Sequence, residues 1–278
     1  FTGKFDGGNF FVDNFYINRN AAGDNYTGLF GRTSGAVISN VGITGSASPA
    51  VKGRMYAGAL AGYIQGGSVT NCYAHVSVRC ESNNANVTVC AGGLIGYMIG
   101  GASLSASYSS GDVSGALPGN GAFLFIGGLA GSVQDAASSI RNCFAAGNID
   151  ANAKLLIYGG GLVGVLDVSV ANCYAAGNVA CTTAQANATI GVGALFGIGG
   201  TSIIPSANCY RNSGAAITAN GQPATPSDAS VSGITSKTKA QMQDDVFKNL
   251  LNNGGSAWGR DSGKNDGLPY IIGVGVGK

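Results

Sequence analysis

Charge is scarce in this chain: only 10% of its 278 residues are Asp, Glu, Lys or Arg, and the formal net charge is +2. The lysines and arginines are scattered singly, so no basic run exists to grip nucleic acid or an anionic lipid surface, and neither partner is expected. Glu81 is the only glutamate and His75 the only histidine, which leaves few residues for carboxylate-pair or histidine-assisted catalysis. No apolar run approaches the roughly 18–20 residues of a membrane helix, because glycine, serine and asparagine interrupt every candidate, so no membrane insertion is expected. No threonine column exists to form a flat ice-binding face. The chain opens on FTGKFDGGNFF without a charged leader and apolar segment, and the expectation is that it begins inside a longer parent protein. What remains is a chain with 48 glycines and 45% hydrophobic residues. That balance is neither disordered nor collagen-like, and it describes a packed, turn-rich protein.

The glycines are periodic. The pattern G-x-L-x-G, opening on threonine in its first copy, occurs as TGLFG (27–31), GALAG (58–62), GGLIG (92–96), GGLAG (127–131), GGLVG (160–164) and GALFG (193–197). Its central column is Leu29, Leu60, Leu94, Leu129, Leu162 and Leu195. About ten residues later comes a second column, Asn14, Asn40, Asn71, Ala106, Asn142, Asn172 and Asn208, with Asn14 as its earliest member. The next position holds Cys72, Cys143, Cys173 and Cys209 in four rows, and Phe15, Val41 and Ser107 in the others. After it stand Tyr16, Gly42, Tyr73, Tyr108, Phe144, Tyr174 and Tyr210. Each repeat of about 33 residues holds three short β-like runs, such as LIYGGGLVGVL, VSVANCYAAG and NVACTTAQANATI, separated by turn residues. Short strands returning to the same residue types once per repeat suit an all-β parallel solenoid, one coil per repeat, with neighbouring coils about 4.8 Å apart. About seven coils would give a rod roughly 35 Å long. A propeller blade needs four strands and about 40–50 residues, and fits less well.

Composition shifts near residue 215. The segment TSKTKAQMQDDVFKNLLNN carries the one convincing amphipathic helix, with Met242, Val246, Phe247, Leu250 and Leu251 at helical spacing, and the chain closes on LPYIIGVGV. Solenoids need an atypical element over the open end of the core. The reading is therefore a solenoid over 1–214 and a C-terminal cap over 215–278 packed on it as one structural domain.

Several chemistries compete for the repeated residues. Cysteine catalysis would require His75 as the base for Cys72, yet positions three apart on a strand face opposite ways. Cysteines in one line do not build a tetrahedral metal site. An inward ladder of free thiols is favoured over disulfides, with Cys80–Cys90 or Cys181 and a neighbouring coil as the alternatives for bridging. The asparagines have a structural rationale, since stacked amides can bond along the rod or satisfy the backbone at a bend. Among the acids, Asp135 and Asp167 follow equivalent anchors and form the best pair for a carbohydrate-active site, while Asp112 and Asp150 read as turn residues. The position after each anchor leucine, Phe30, Ala61, Ile95, Ala130, Val163 and Phe196, has the opposite strand parity. If leucine points inward, Phe30, Ile95, Val163 and Phe196 form an outward apolar binding stripe, unless the terminal helix or a loop covers it.

The repeated G-x-L-x-G, the following N-C-Y, the opening FTGKFDGGNFFVDNFYIN and the terminal GLPYI together resemble bacterial GLUG-motif proteins. The resemblance spans nearly the whole chain. It implies a right-handed β-helix of a secreted or cell-surface protein, as in adhesin-like proteins and beside the catalytic part of immunoglobulin A-specific metallopeptidases. It does not imply peptidase activity, because HExxH is absent. The expected function is non-enzymatic, an adhesin-like binding or spacer module at an extracellular or surface location, with a host glycan or protein as partner. No catalytic, cofactor or metal residue is assigned. The alternatives are a polysaccharide-cleaving β-helix and an accessory domain of a larger secreted protease.

Overall fold

The computed structural model describes residues 1–185, 187–198 and 206–277. Strands account for 49% of it and helices for 7%. They stack as a parallel β-solenoid of about six turns, with four stacks of 11, 8, 6 and 5 strands running along the rod, parallel apart from the hairpin partner Gln222–Pro223 at the end of the 8-stranded one. One turn illustrates the path. Ile95–Ile99 lies in the 5-stranded sheet, Ser103–Ser105 and Tyr108–Ser109 in the 11-stranded sheet, Val113–Leu117 in the 8-stranded sheet, and Phe123–Gly127 in the 6-stranded sheet. Met98, Leu104, Val113, Leu117, Leu124 and Ile126 from this turn are 0–1% exposed and fill the bore. The turn count is one lower than the repeat arithmetic because the opening strand Lys4–Val12 pairs only with Val37–Thr44 and adds no row to the 5- or 6-stranded sheet.

The G-x-L-x-G anchors are bends, not strand centres. In the third to fifth copies the 6-stranded sheet ends at the first glycine and the 5-stranded sheet starts just after the leucine, as at Gly92 and Ile95, and in the second copy the sheet ends one residue earlier, at Ala57. The glycines permit the two backbones to pass close together. A Cβ added at Gly62 would lie 2.6 Å from the Thr27 amide nitrogen and 2.7 Å from the Tyr56 carbonyl oxygen, both backbone atoms. The leucines occupy the inside of the bend, and their backbone links the turns. The Leu60 N–H donates to Leu94 O (2.9 Å), Leu94 to Leu129 O (3.0 Å), Leu129 to Leu162 O (2.9 Å) and Leu162 to Leu195 O (2.8 Å).

At the last anchor a side chain, not a further leucine row, accepts these bonds. One carboxylate oxygen of Asp228, a fully buried residue, accepts from Leu195 N at 2.6 Å and Phe196 N at 2.8 Å. Burial pushes the Asp228 pKa upward, opposed by those amide bonds. Ser227 Oγ donates to Phe196 O and Gly197 O beside it. The end of the rod is thus closed by a short polar plug that satisfies amides a core end would otherwise leave bare.

Strands Ile217–Ala219 and Ile234–Lys237 extend the 8- and 11-stranded sheets beyond residue 214. The helical segment follows. Helix α1, Lys239–Met242, begins on a capping box in which Thr238 and Gln241 exchange hydrogen bonds. Helix α2, Asp245–Asn252, is capped by the Asp244 carboxylate and ends at Asn253 in the left-handed conformation. Its buried residues Phe247 and Leu251 join Met242, Trp258, Leu268, Ile271 and Val274 in a second core. The closing strand is brief, Tyr270–Ile271 paired antiparallel with Trp258–Gly259. This segment lies along the side of the rod, over the aromatic column, while Asp228 and Ser227 serve the end.

Candidate functional site

Each asparagine of the repeated column sits in the left-handed backbone region, with φ of 51° at Asn14, 57° at Asn40, 55° at Asn71, 52° at Asn142, 55° at Asn172 and 51° at Asn208. Asparagine tolerates this conformation better than other side chains with a Cβ. At Asn71, Ala106 and Asn142 the kink splits one strand of the 11-stranded sheet into two short ones, as in Ser68–Thr70 and Tyr73–His75, while Val37–Thr44 and Ser169–Ala175 run through it. The amides then bond along the rod: Asn71 Nδ2 to Asn40 Oδ1 (3.0 Å), Asn172 to Asn142 (3.1 Å) and Asn208 to Asn172 (3.3 Å). Ala106 takes the same kink at φ 45° and interrupts the ladder.

The four column cysteines are buried and unpaired, as are Cys80, Cys90 and Cys181. Each column thiol donates to the carbonyl two residues earlier, across the kink: Cys72 to Thr70 O (3.3 Å), Cys143 to Arg141 O (3.1 Å), Cys173 to Ala171 O (3.2 Å) and Cys209 to Ala207 O (3.5 Å). Ser107 plays the same part, donating to Ser105 O at 2.7 Å and accepting from Cys72 N. A small side chain with one donor is what the position needs. Burial pushes the Cys72 thiol up to about 12 and that of Cys173 well above its ordinary value, which disfavours the nucleophilic thiolate.

His75 does not address Cys72. One ring nitrogen lies 2.6 Å from Ser110 Oγ and the other 2.9 Å from the Tyr108 hydroxyl, and burial lowers its pKa from the ordinary 6.5. Tyr108 OH in turn accepts from Val276 N at 3.0 Å, tying the histidine to the C-terminal segment. The acids also fail to pair across coils. Val133 pairs with Leu166, which sets Asp167 opposite Gln134 and leaves Asp135 one position out of register. The Asp135 carboxylate accepts from Ala137 N within its own turn. Asp112 accepts from Asn148 N, Asn148 Oδ1 from Asn178 N and Asn178 Oδ1 from Ala216 N. This second polar ladder is written in the sequence as GDV, GNI and GNV. Among the described residues no group of three or more His, Cys, Asp or Glu could hold a metal ion.

The expected apolar stripe is not on the surface. Ile95 and Val163 are 0% exposed and Phe196 1%, in the same core as Leu94, Leu162 and Leu195, while Leu29 and Phe30 pack at its first turn. Strand parity does not carry across the bend at glycine and leucine, so both the leucine and its successor turn inward. The aromatic column Tyr73, Tyr108, Phe144, Tyr174 and Tyr210 is also covered, at 0–7% exposure, by the C-terminal segment.

A different aromatic group is left half-buried. Tyr26 and Tyr56 are in register on the 6-stranded sheet, and Arg32, Tyr63 and Tyr97 on the 5-stranded sheet. The bends bring the two rows together. Ring centroids lie 5.5 Å apart for Tyr26–Tyr56, 5.6 Å for Tyr26–Tyr63, 5.7 Å for Tyr56–Tyr63, 5.6 Å for Tyr56–Tyr97 and 5.2 Å for Tyr63–Tyr97. The Arg32 guanidinium lies 5.1 Å from the Tyr63 ring and 5.8 Å from Tyr26. Its Nη2 donates to Gln65 Oε1, and Tyr97 OH donates to Gln134 Oε1. Burial raises Tyr97 to about 12 and Tyr56 above its ordinary value. The pattern was visible in the sequence: tyrosine one or two residues before an anchor, or tyrosine or arginine directly after one.

Residues 53–79 match the family model described as the GLUG motif. The chain is similar in fold to the crystal structure of a putative immunoglobulin A1 protease from Bacteroides ovatus, with a TM-score of 0.68 and 21% sequence identity over 96% of this chain and 76% of that one. No curated protein matches the sequence. Among the described residues no helix is long and apolar enough to cross a membrane.

Proposed function

We propose that this GLUG-motif solenoid is a non-enzymatic module of a secreted or surface-displayed bacterial protein, serving as an adhesin-like binding element or a spacer. One observation carries the reading: the recurrent cysteines and asparagines and the single histidine are consumed by the rod itself. The thiols are buried against carbonyls, the amides bond to each other, the single histidine is held by Ser110 and Tyr108, and Asp112 and Asp135 bond to turn amides. The test is a panel of polysaccharides and peptides incubated with the protein, with new reducing ends and new amino termini quantified. No turnover is expected. Turnover abolished by Asp135→Asn or Asp167→Asn would establish the carbohydrate-active alternative. The likeness to a chain described as a protease favours a second reading within the same class, an accessory domain of a larger secreted protease. A catalytic motif encoded downstream in the same reading frame would decide for it.

A further inference from the structure

Arg32 is exposed and sits above two tyrosine rings. Among the described residues no carboxylate lies within ion-pair distance of it. The nearby acid Asp24 is engaged by Arg19 at 2.7 Å. Asp167 lies toward the far end, near Tyr97. The cluster therefore has a positive end at Arg32. The hydroxyls of Tyr26, Tyr56 and Tyr63 make no hydrogen bond to any described residue, so each can both donate and accept toward solvent or a ligand. The side-chain amides of Gln65 and Gln134 flank the rings.

We infer that the Tyr26, Tyr56, Tyr63, Tyr97 and Arg32 cluster is a binding site for an acidic oligosaccharide, a chain of pyranose units bearing carboxylates. A guanidinium fork matches a carboxylate in two-point geometry. The free hydroxyls of Tyr26 and Tyr56, one coil apart, and of Tyr63 across the bend present donors and acceptors to a ligand rich in hydroxyls. Half-buried tyrosine supplies apolar area and a polar tip with only two torsions to order. An acidic peptide would satisfy Arg32, but its backbone offers these hydroxyls fewer partners than the hydroxyls of a sugar chain do. The site rests on the reading of the rod as a binding scaffold.

The experiment is isothermal titration of the whole chain with a galacturonate hexamer, a neutral galactose hexamer and a hexaglutamate peptide. The uronate oligomer is expected to bind, more weakly as salt rises, with the neutral sugar and the peptide at least about tenfold weaker. Arg32→Gln and Tyr63→Ala are each expected to weaken uronate binding about tenfold or more, with circular dichroism confirming the fold, and Tyr16→Ala, on the exposed first-turn aromatic, to leave it unchanged. Absence of uronate binding, equal binding of hexaglutamate or of the neutral sugar, or undiminished binding by both variants would overturn the site. Newly released reducing ends would instead overturn the non-enzymatic reading.

Discussion

Tyr73, Tyr108, Phe144, Tyr174 and Tyr210 stack in register beneath a segment of the same chain, whereas Tyr26, Tyr56, Tyr63 and Tyr97 gather around a bend that nothing described covers. The first set is a flat ladder, with Tyr108–Phe144 centroids 4.4 Å apart and planes within 7°, and Phe144–Tyr174 at 5.0 Å and 4°. The second is a mixture of stacked and edge-to-face contacts contributed by two sheets. Repetition along a parallel rod makes an aromatic column in either place. Whether that column becomes core or surface depends on what else the chain lays over it.

The comparison breaks most severely at Trp258, which is 1% exposed and packs 5.6 Å from Tyr174 and 6.0 Å from Phe144. Trp258→Ala is expected to destabilise the protein by about 3–5 kcal/mol in denaturant titrations and to raise binding of a hydrophobic dye as the ladder becomes accessible. Next is Tyr174→Phe. It removes a buried hydroxyl that donates to Pro269 O at 2.6 Å and accepts from Asn265 at 2.9 Å, and a loss of about 1–2 kcal/mol is expected from the same titration. Ala106→Asn acts in the opposite direction. It places at the strained kink the residue type that the other rows use and adds an amide between Asn71 and Asn142, so a gain of about 1 kcal/mol is expected. Tyr63→Ala in the uncovered cluster is expected to change stability by less than about 1 kcal/mol, so that its effect falls on binding.

The smallest effect is a pH dependence. The His75 pKa is lowered in the folded chain by burial, so below pH 6.5 the unfolded chain takes up a proton that the folded chain refuses. Stability is fully present above that value and declines as pH falls through the window beneath it, weakening the link from His75 through Tyr108 to Val276. His75→Gln should flatten this slope in melts run across that window; an unchanged slope would place its origin elsewhere.

Much of the solenoid was readable because its signals are periodic. The leucine and asparagine columns recur at a fixed interval, and in parallel strands a fixed interval means lateral neighbours. The parity argument for Phe30, Ile95, Val163 and Phe196 failed because it extended strand alternation through a glycine bend. The NCY triplet was legible as a structural rule, but the left-handed φ of the asparagine and the thiol-to-carbonyl bond across the kink are backbone facts with no composition signature. The tyrosine cluster was missed for a related reason: Tyr56 and Tyr63 lie on either side of an anchor, and only the bend turns that separation into ring contact.

The amino-acid sequence by itself determined the repeat, the stacked identity of each column and the amphipathic segment after residue 237, because these follow from periodicity and local propensity. Tertiary structure alone decided that this segment lies on the side of the rod, that Asp228 stands in for a further leucine row at its end, and that one aromatic column is covered while the other is left open. Those outcomes depend on long-range backbone geometry, where a carboxylate must reach two amides and a helix must find a face whose rings match its own buried side chains.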